Sequence, residues 1–244
     1  DVMYEEGIDP RKDTKLHTVC IGAEPHSEEQ RKRIEQLLGV KAYNCFGMSE
    51  MNGPGVAFEC TEQNGLHIWE DNVIVELVDP VTLQPVPEGE VGELVLTTIN
   101  REAMPLLRYR TRDLTCILPG DCPCGRTHKR LARFKGRSDD MIILKGVNLF
   151  PIQIEKILMQ FKELGSNYLI TLETIGNSDE MLIEVELSDL FTDDYSALQR
   201  LTKGITRQLK DELLLTPRIK LVAKGSLPTT DGKAVRVKDH RKLC

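Results

Sequence analysis

The sequence has 244 residues, of which 40% are hydrophobic and 29% are charged, and its net charge is −6. This composition is that of an ordinary globular protein with one large domain or two small ones. Acidic and basic side chains are interleaved, which argues against a nucleic-acid partner, because such proteins carry a basic stripe. No apolar run is long enough to span a bilayer and no signal segment opens the chain, so we expect a cytoplasmic protein without a membrane partner.

The first part of the chain reads as alternating strand and helix. Residues 17–22 form an apolar run typical of a buried strand, and Ser27 with Gln30 has the spacing of a helix capping box. An apolar stripe at helical spacing follows, Gly39 fits the end of the helix, and residues 40–46 read as the next strand. One such unit cannot cover both faces of a parallel sheet, so the sequence predicts a partial α/β layer.

Short strands and turns replace this pattern from about residue 64 to 136. The β-branched runs there are separated by Asp-Pro, Pro and Gly, which favours a small antiparallel sheet or barrel. We therefore predict a β-rich subdomain within a first domain that covers residues 1–136.

A compact α+β domain is predicted over residues 137–244. Its predicted elements are a strand at 141–144, a helix from Pro151, strands at 167–175 and 181–188, a helix from about Tyr195 and a strand at 218–224. The order βαββαβ suits a small ferredoxin-like domain. The predicted class is α/β plus α+β, with the domain boundary between Arg137 and Asp140.

The segment YNCFGMSEMNGPG, residues 43–55, places polar residues and glycines directly after a predicted strand. Ligands of open α/β sheets bind at the carboxyl ends of strands. At such an end Ser49 would suit a phosphate oxygen and Glu50 a hard cation such as Mg²⁺. A glycine-rich surface turn is the alternative interpretation.

Two charged segments allow a functional and a structural interpretation. In RYRTRDL, residues 108–114, Asp113 would accept hydrogen bonds from the hydroxyls of a ribose, or the arginines would form salt bridges on an edge strand. In GRSDDMIILKG, residues 136–146, the adjacent acids belong either to a solvated linker or to a hinge.

A zinc site is predicted from cysteines that lie far apart in the chain. Seven cysteines without an export signal indicate thiols or a metal site in a reducing compartment. CPCGRTH, residues 122–128, holds a C-x-C pair, and Cys60 and His67 lie upstream in the same β-rich segment. The predicted ligands are Cys60, His67, Cys122 and Cys124, which would close a tetrahedral structural site. Cys116 and His128 are substitute ligands, and free thiols are the alternative.

Close to the end of the sequence, LPTTDGKAVR holds Lys233 just past an Asp-Gly turn. A phosphate-binding loop is excluded, because the required Gly six positions earlier is Leu227 and the required Ser or Thr is Ala234. On its own the Gly-Lys pair would be interpreted as a solvated turn.

Taken together, these segments resemble the adenylate-forming ligase superfamily, and its phenylacetate–CoA ligase branch most closely. The resemblance covers essentially the whole chain. The segments that carry it are GAEPHS at 22–27, FGMSE at 46–50, GPGVAFEC, IWED, RYRTRDL, GRSDDMIILKGVNLFP and LPTTDGKAVR. Phe46 stands where tyrosine is commoner in this family.

The resemblance implies a role for individual residues. Ala23, Glu24 and Phe46, with Gly47 and Met48, would line the adenine side of an ATP or AMP site. Ser49 would contact the α-phosphate or the acyl carboxylate, Glu50 would bind Mg²⁺, and Asp113 would hold the ribose with the help of Arg137. Lys233 would be the catalytic lysine of adenylation, Asp139 the hinge, and Lys145 and Gly146 part of the CoA channel.

The implied partners are an aryl acid, ATP and CoA, with Mg²⁺ and a structural Zn²⁺, and a homodimer is left open. The family's loop for the β- and γ-phosphates is missing from the sequence, so we expect a C-terminal portion of a ligase that is inactive alone. Two alternatives stay open. The acid is another aryl- or indolyl-acetate, or the chain is a non-catalytic, zinc-stabilised nucleotide-binding module.

Overall fold

The computed structural model describes residues 2–51, 53–176, 178–188, 195–228 and 234–241. The chain divides into two units. The first unit comprises Asp1–Pro25 and Arg31–Asp139, and the second comprises His26–Gln30 and Asp140–Cys244. The predicted domain boundary between Arg137 and Asp140 stays a prediction about domain organisation.

Two short helices, a strand, a longer helix and a second strand open the chain. They are α1 (Val2–Glu5), α2 (Pro10–Asp13), β1 (Thr18–Ile21), α3 (Glu28–Leu38) and β2 (Lys41–Met48). Ser27 Oγ accepts the N–H of Gln30 at 3.2 Å, which is one half of the predicted capping box. The return bond is not made, since Gln30 Oε1 has no partner among the described residues. Gly39 ends α3 at a φ of +68°, where a side chain would be strained.

Two β-sheets build most of the first unit. The further strands are β3 (Gly53–Glu59), β4 (Leu66–Ile68), β5 (Val73–Val78), β6 (Gly92–Thr98), β7 (Tyr109–Thr115), β8 (Ile117–Leu118), β9 (Arg130–Leu131) and β10 (Gly136–Arg137). One sheet has the order β1-β2-β3-β4-β9-β8, and the other has the order β10-β7-β6-β5. Among the described strand pairs of these two sheets, only β1–β2 is parallel. An apolar core that includes Leu66, Leu94 and Leu131 joins residues of both sheets.

The second unit packs two helices on a four-stranded sheet. Its elements are β11 (Ile142–Leu144), β12 (Val147–Leu149), α4 (Pro151–Leu158), β13 (Leu164–Ile175), β14 (Ser178–Leu187), α5 (Tyr195–Leu213), β15 (Arg218–Val222) and β16 (Val237–Asp239). The sheet order is β15-β14-β13-β16, with β13 and β14 antiparallel and the two outer strands parallel to their neighbours. Every fourth residue of α5 from Leu201 to Leu213 is buried in its core.

The predicted α/β plus α+β class is confirmed, but one strand of the second unit differs from the predicted order βαββαβ. The strand predicted at 141–144 exists as β11, yet it pairs only with β12. The turn between these strands consists of Lys145 and Gly146 at φ values of +50° and +80°, the backbone of a tight two-residue hairpin. The place in the four-stranded sheet is taken by β16. None of the described helices is long and apolar enough to cross a membrane.

Substitutions of two leucines at the end of α5 test how much side-chain burial contributes to the stability of the second unit. Leu209 is fully buried and Leu214 is 81% exposed. We expect Leu209→Ala to lower the free energy of unfolding by about 2–5 kcal/mol, because it leaves a cavity in the core. Leu214→Ala is expected to change it by less than about 0.5 kcal/mol. Equal losses in chemical denaturation would contradict the packing described here.

Candidate functional site

The turn after β1 lies directly against β2. A Cβ atom on Gly22 would stand 2.5 Å from the carbonyl oxygen of Cys45, so a glycine is required for this approach. Ala23 follows in a left-handed conformation, at a φ of +69°. The contact brings the turn that carries Ala23 and Glu24 beside Cys45, the residue that precedes Phe46.

The segment from Phe46 to Glu50 forms the end of β2 and the tip of the β2–β3 hairpin. The Phe46 ring packs on Phe134, with ring centroids 4.4 Å apart. Ser49–Met51 forms one turn of 3₁₀ helix, and Ser49 is exposed. Arg101 Nη1 donates to the carbonyl oxygen of Glu50. Gly47 and Met48 belong to the same strand end, and Met48 pairs with Gly53 across the hairpin.

Asp113 lies in a bulge of β7. The register between β6 and β7 shifts, so that only Leu94 stands opposite Thr111, Arg112 and Asp113. Arg112 takes a φ of +70°, Thr111 Oγ1 donates to the Leu94 carbonyl, and the same hydroxyl accepts the N–H of Asp113. Bulges re-aim side chains in this way, often beside active sites.

Arg137 lies between two carboxylates. It pairs with Asp113 across β7 and β10, and its Nη1 is 4.0 Å from Asp113 Oδ1. Its Nε and Nη2 donate to the two oxygens of Asp139 at 2.9 and 2.8 Å. This fork lowers the pKa of Asp139 below its ordinary value, because the guanidinium stabilises the charged carboxylate. The Asp139 carboxylate therefore holds Arg137 in place beside Asp113.

Glu93 is a residue that the sequence analysis did not single out. Its carboxylate is fully buried and accepts bonds from Arg110 Nε and Nη2 at 2.8 and 2.7 Å. Arg112 and Ser138 approach the same carboxylate at 3.8 and 3.5 Å. The sequence feature that could have identified Glu93 is an acidic residue within the apolar strand GELVLTT, which pairs with an arginine-rich strand. The salt-bridge interpretation of RYRTRDL thus applies to its three arginines, because Arg108 contacts Glu76 and both Arg110 and Arg112 contact Glu93. The ribose interpretation concerns Asp113.

The structure brings together the four residues predicted to bind zinc. All their ligand atoms lie within 4.8 Å of one another. Cys60 Sγ is 3.7 Å from Cys122 Sγ, and Cys124 Sγ is 3.4 Å from His67 Nε2. A tetrahedral zinc ion, with Zn–S bonds of about 2.3 Å and Zn–N bonds of about 2.0–2.1 Å, needs S–S and S–N separations of about 3.8 and 3.5 Å. The observed separations are close to those distances.

The pKa shifts within this cluster differ in direction from one member to the next. Burial raises the pKa of the Cys60 thiol to about 11, and burial lowers the pKa of His67, which favours the neutral imidazole that a metal requires. The backbone N–H of Arg126 lowers the pKa of Cys124 to about 7. His67 Nδ1 is buried without a partner in the described part of the chain. The substitute ligands Cys116 and His128 are not members of the cluster.

Two further predicted site residues form the tip of the β11–β12 hairpin in the second unit. Lys145 Nζ is 2.8 Å from Glu180 Oε1, and this contact lowers the pKa of Glu180. Gly146 completes the turn. Lys233, the predicted catalytic residue, lies outside the described residues, so its role stays a prediction from the sequence.

Comparison with known proteins gives two matching family models. One, described as AMP-binding enzyme, matches residues 4–100, and the other, described as AMP-binding enzyme C-terminal domain, matches residues 146–241. Together they match most of the chain.

The matching relatives are ligases. The chain is 42% identical to phenylacetate-coenzyme A ligase of Thermus thermophilus over 98% of this chain and 57% of that protein. It is 43% identical to phenylacetate-coenzyme A ligase of Pseudomonas putida over 99% of this chain and 54% of that protein. It therefore spans about half the length of the curated relatives it matches. A solved 2-hydroxyisobutyryl-CoA ligase, in the postadenylation state with 2-HIB-AMP, has a TM-score of 0.90 and 32% identity over 98% of this chain and 51% of that one.

The approach of Gly22 to Cys45 can be tested with two glycines. We expect Gly22→Ala to lower the free energy of unfolding by about 1–3 kcal/mol, because the added methyl overlaps backbone atoms that cannot move away freely. Gly55→Ala is the control, since a Cβ there meets nothing within 4 Å. If thermal or denaturant unfolding shows the two variants to be equally stable, the turn does not lie as close to β2 as described.

Proposed function

The chain belongs to the family of AMP-binding enzymes, and on this premise we propose that it serves an ATP-dependent aryl-acid–CoA ligase acting on phenylacetate. In the first half-reaction the carboxylate attacks the α-phosphorus of ATP, which forms the acyl-adenylate and releases diphosphate. In the second the CoA thiol attacks the acyl carbon, which forms the thioester and releases AMP. The observation that carries the proposal is the similarity to phenylacetate-coenzyme A ligases over 98–99% of this chain.

Of the proposed ligands, the nucleotide is the one for which the positions of the described residues offer the most support. Asp113 is 15% exposed on its bulge, and Arg137 is held beside it by Asp139. A carboxylate so placed suits the paired hydroxyls of a ribose, as acidic residues do in other nucleotide sites. Phe46, with Ala23, Glu24, Gly47 and Met48 around it, is the proposed adenine side.

The proposed phosphate side is the tip of the β2–β3 hairpin. The exposed Ser49 hydroxyl would contact the α-phosphate or the acyl carboxylate. The half-buried Glu50 suits Mg²⁺, which favours carboxylate oxygens and would neutralise charge on the phosphates. Arg101, through its bond to the Glu50 carbonyl, holds the backbone of this tip.

Lys233 is the proposed catalytic residue of the first half-reaction. Attack on the α-phosphorus builds negative charge on a crowded centre, and a lysine ammonium placed there offsets that charge without covalent chemistry. Lys145 and Gly146 are proposed to serve the second half-reaction as part of the CoA channel. Asp139 is the proposed hinge that lets one site serve both steps in turn.

The test is ATP–diphosphate exchange with phenylacetate and Mg²⁺. We expect no exchange from residues 1–244 alone, because a phosphate loop for the β- and γ-phosphates is not in this sequence. We expect exchange from a version extended upstream through such a loop. In that version Lys233→Ala is expected to lower the rate by about 10²–10³-fold, the usual effect of removing one electrostatic stabiliser.

The matched control is Lys220→Ala, which removes an exposed lysine paired with Glu184 at 2.7 Å and is expected to change the rate less than about twofold. Exchange that is indifferent to Lys233 would overturn its catalytic role. Phenylacetyl-CoA formation by residues 1–244 alone would overturn the need for the missing loop. Nucleotide binding without turnover in the extended version would favour the non-catalytic module instead.

The identity of the acid substrate is inferred from the names of the relatives. Phenylacetate-coenzyme A ligases are 42% and 43% identical to the chain, whereas the relative named for 2-hydroxyisobutyrate is 32% identical. An exchange assay with phenylacetate, indolylacetate and 2-hydroxyisobutyrate decides between them, and we expect the highest kcat/KM for phenylacetate. A cytoplasmic location agrees with the free thiols of the six described cysteines, and the homodimer stays a prediction.

We further propose a structural zinc ion at Cys60, His67, Cys122 and Cys124. Three thiolates and one imidazole form a closed tetrahedral donor set, so no position is left for a substrate. Such a site would link the β3–β4 loop to the β8–β9 loop and would contribute directly to the folding free energy.

Elemental analysis of protein purified without chelator is expected to find about one zinc per chain. Cys122→Ser should remove most of the metal and lower the melting temperature, because the remaining ligands no longer close the site. Cys20→Ser is the control, since Cys20 is exposed and outside the cluster. Substoichiometric zinc in the unmodified protein, or unchanged stability of Cys122→Ser, would contradict the site.

A further inference from the structure

We propose that Asn167, Glu186 and Arg236, here called the Asn167 network, are positioning residues that fix both ends of the segment carrying Lys233. The network would act in the adenylation half-reaction and not in thioester formation. This inference rests on the proposed function, because it assigns the network's role through Lys233.

The network holds the chain where it enters this segment. The backbone N–H of Leu227 donates to Glu186 Oε1 at 2.9 Å, and Asn167 Nδ2 donates to the same oxygen at 3.2 Å. Glu186 is only 6% exposed and Leu227 only 8%. A buried carboxylate that receives two N–H donors makes charge-assisted bonds, which are shorter and stronger than neutral ones. The position of Leu227 is thereby tied to β14.

The network also holds the chain where it leaves the segment. Arg236 Nη1 donates to Asn167 Oδ1 at 3.0 Å and to the Tyr168 carbonyl at 3.4 Å. The guanidinium carbon lies 4.6 Å from the centroid of the Tyr168 ring, a cation–π distance. The N–H of Ile170 donates to the Arg236 carbonyl at 2.9 Å, next to the start of β16.

Asn167 connects the two ends through its single amide group. Its nitrogen binds Glu186, which holds the entry, and its oxygen binds Arg236, which holds the exit. A cavity of about 150 Å³ lies beside the network and is lined from both ends, by Leu227 and Pro228 and by Ala234 and Val235. Lys233 directly precedes Ala234 in the sequence.

A positioning role explains why these groups are polar. Burying the Glu186 carboxylate costs desolvation energy, which its bonds to Leu227 and Asn167 offset. What the polar network adds is a fixed geometry at both ends of a short segment. A reacting group misplaced by about 1 Å can lose about 100-fold in rate, so fixed positions of Leu227 and Arg236 would matter for a catalytic Lys233 between them.

The test separates the two half-reactions in the version extended upstream through a phosphate loop. Glu186→Gln and Arg236→Lys keep the size of the side chain but weaken the charge-assisted bonds and the planar fork. We expect each to lower ATP–diphosphate exchange by about 10- to 100-fold. The rate at which the protein converts synthetic phenylacetyl-adenylate and CoA to the thioester is expected to stay within about twofold.

A control variant and a hydrogen-exchange measurement distinguish a positioning role from a general loss of stability. Glu184→Gln is the matched control, because it breaks the exposed pair with Lys220 two residues along the same strand and should leave both half-reactions unchanged. Hydrogen exchange of the Leu227 amide, which donates to Glu186, and of the Ile170 amide, which donates to the Arg236 carbonyl, should become faster in Glu186→Gln and Arg236→Lys. This readout does not depend on catalysis.

The possible failures are distinguishable. If the version extended upstream shows no exchange with any acid, or exchange that ignores Lys233→Ala, the proposed function fails. If Lys233→Ala abolishes exchange while both network variants retain it, the function stands and this inference is overturned. It is also overturned if the network variants lose both half-reactions equally, since that pattern indicates a purely structural role.

Discussion

The geometry of the proposed nucleotide side depends on one fully buried carboxylate. Glu93 on β6 binds Arg110 on β7 through two parallel bonds, although Glu93 stands opposite Leu114 and Arg110 opposite Val95, so this ion pair spans the register shift between the two strands. Immediately beyond Arg110 the register breaks and β7 bulges, so that Asp113 is turned away from the ladder. The chain then returns as β10, which sets Arg137 opposite Asp113. One buried ion pair therefore ties β6 to β7 across the bulge beside which Asp113 and Arg137 meet.

The proposed zinc site connects parts of the first unit that are distant in sequence. Cys60 and His67 flank the β3–β4 turn, and Cys122 and Cys124 come from the loop between β8 and β9. The pairing of β4 with β9 brings the two loops to the same side of the six-stranded sheet. Loops rich in turns bury few apolar groups of their own, so a metal would replace packing as their source of stability.

The second unit carries two predicted functional lysines, Lys145 in a described hairpin and Lys233 outside the described residues. Lys145 lies in a tight hairpin turn whose shape follows from its own sequence, Lys-Gly, and from the pairing of β11 with β12. The segment that ends in Lys233 is bounded by residues tied to the sheet by side chains of the Asn167 network. In the first case local backbone geometry is sufficient. In the second the polar side chains of distant strands supply the constraint.

The sequence by itself determined the local elements, because their signals lie within a few residues of one another. Helical spacing predicted α5, and the Gly39 stop predicted the end of α3. The proximity of Cys60, His67, Cys122 and Cys124 was also predicted, from residue types that bind metals and not from a local pattern. The order of motifs likewise indicated the family. The role of Lys233 rests on that sequence evidence alone.

Only the tertiary structure decided the non-local features. The strand β16 is three residues long, and its parallel pairing with β13 depends on residues almost seventy positions away, so no local pattern predicts it. The same holds for the partner of Arg110, for the bulge at Asp113 and for the contact that requires Gly22. Each depends on the distance between chain segments in space, whereas periodicity and turn chemistry report only on neighbours in sequence.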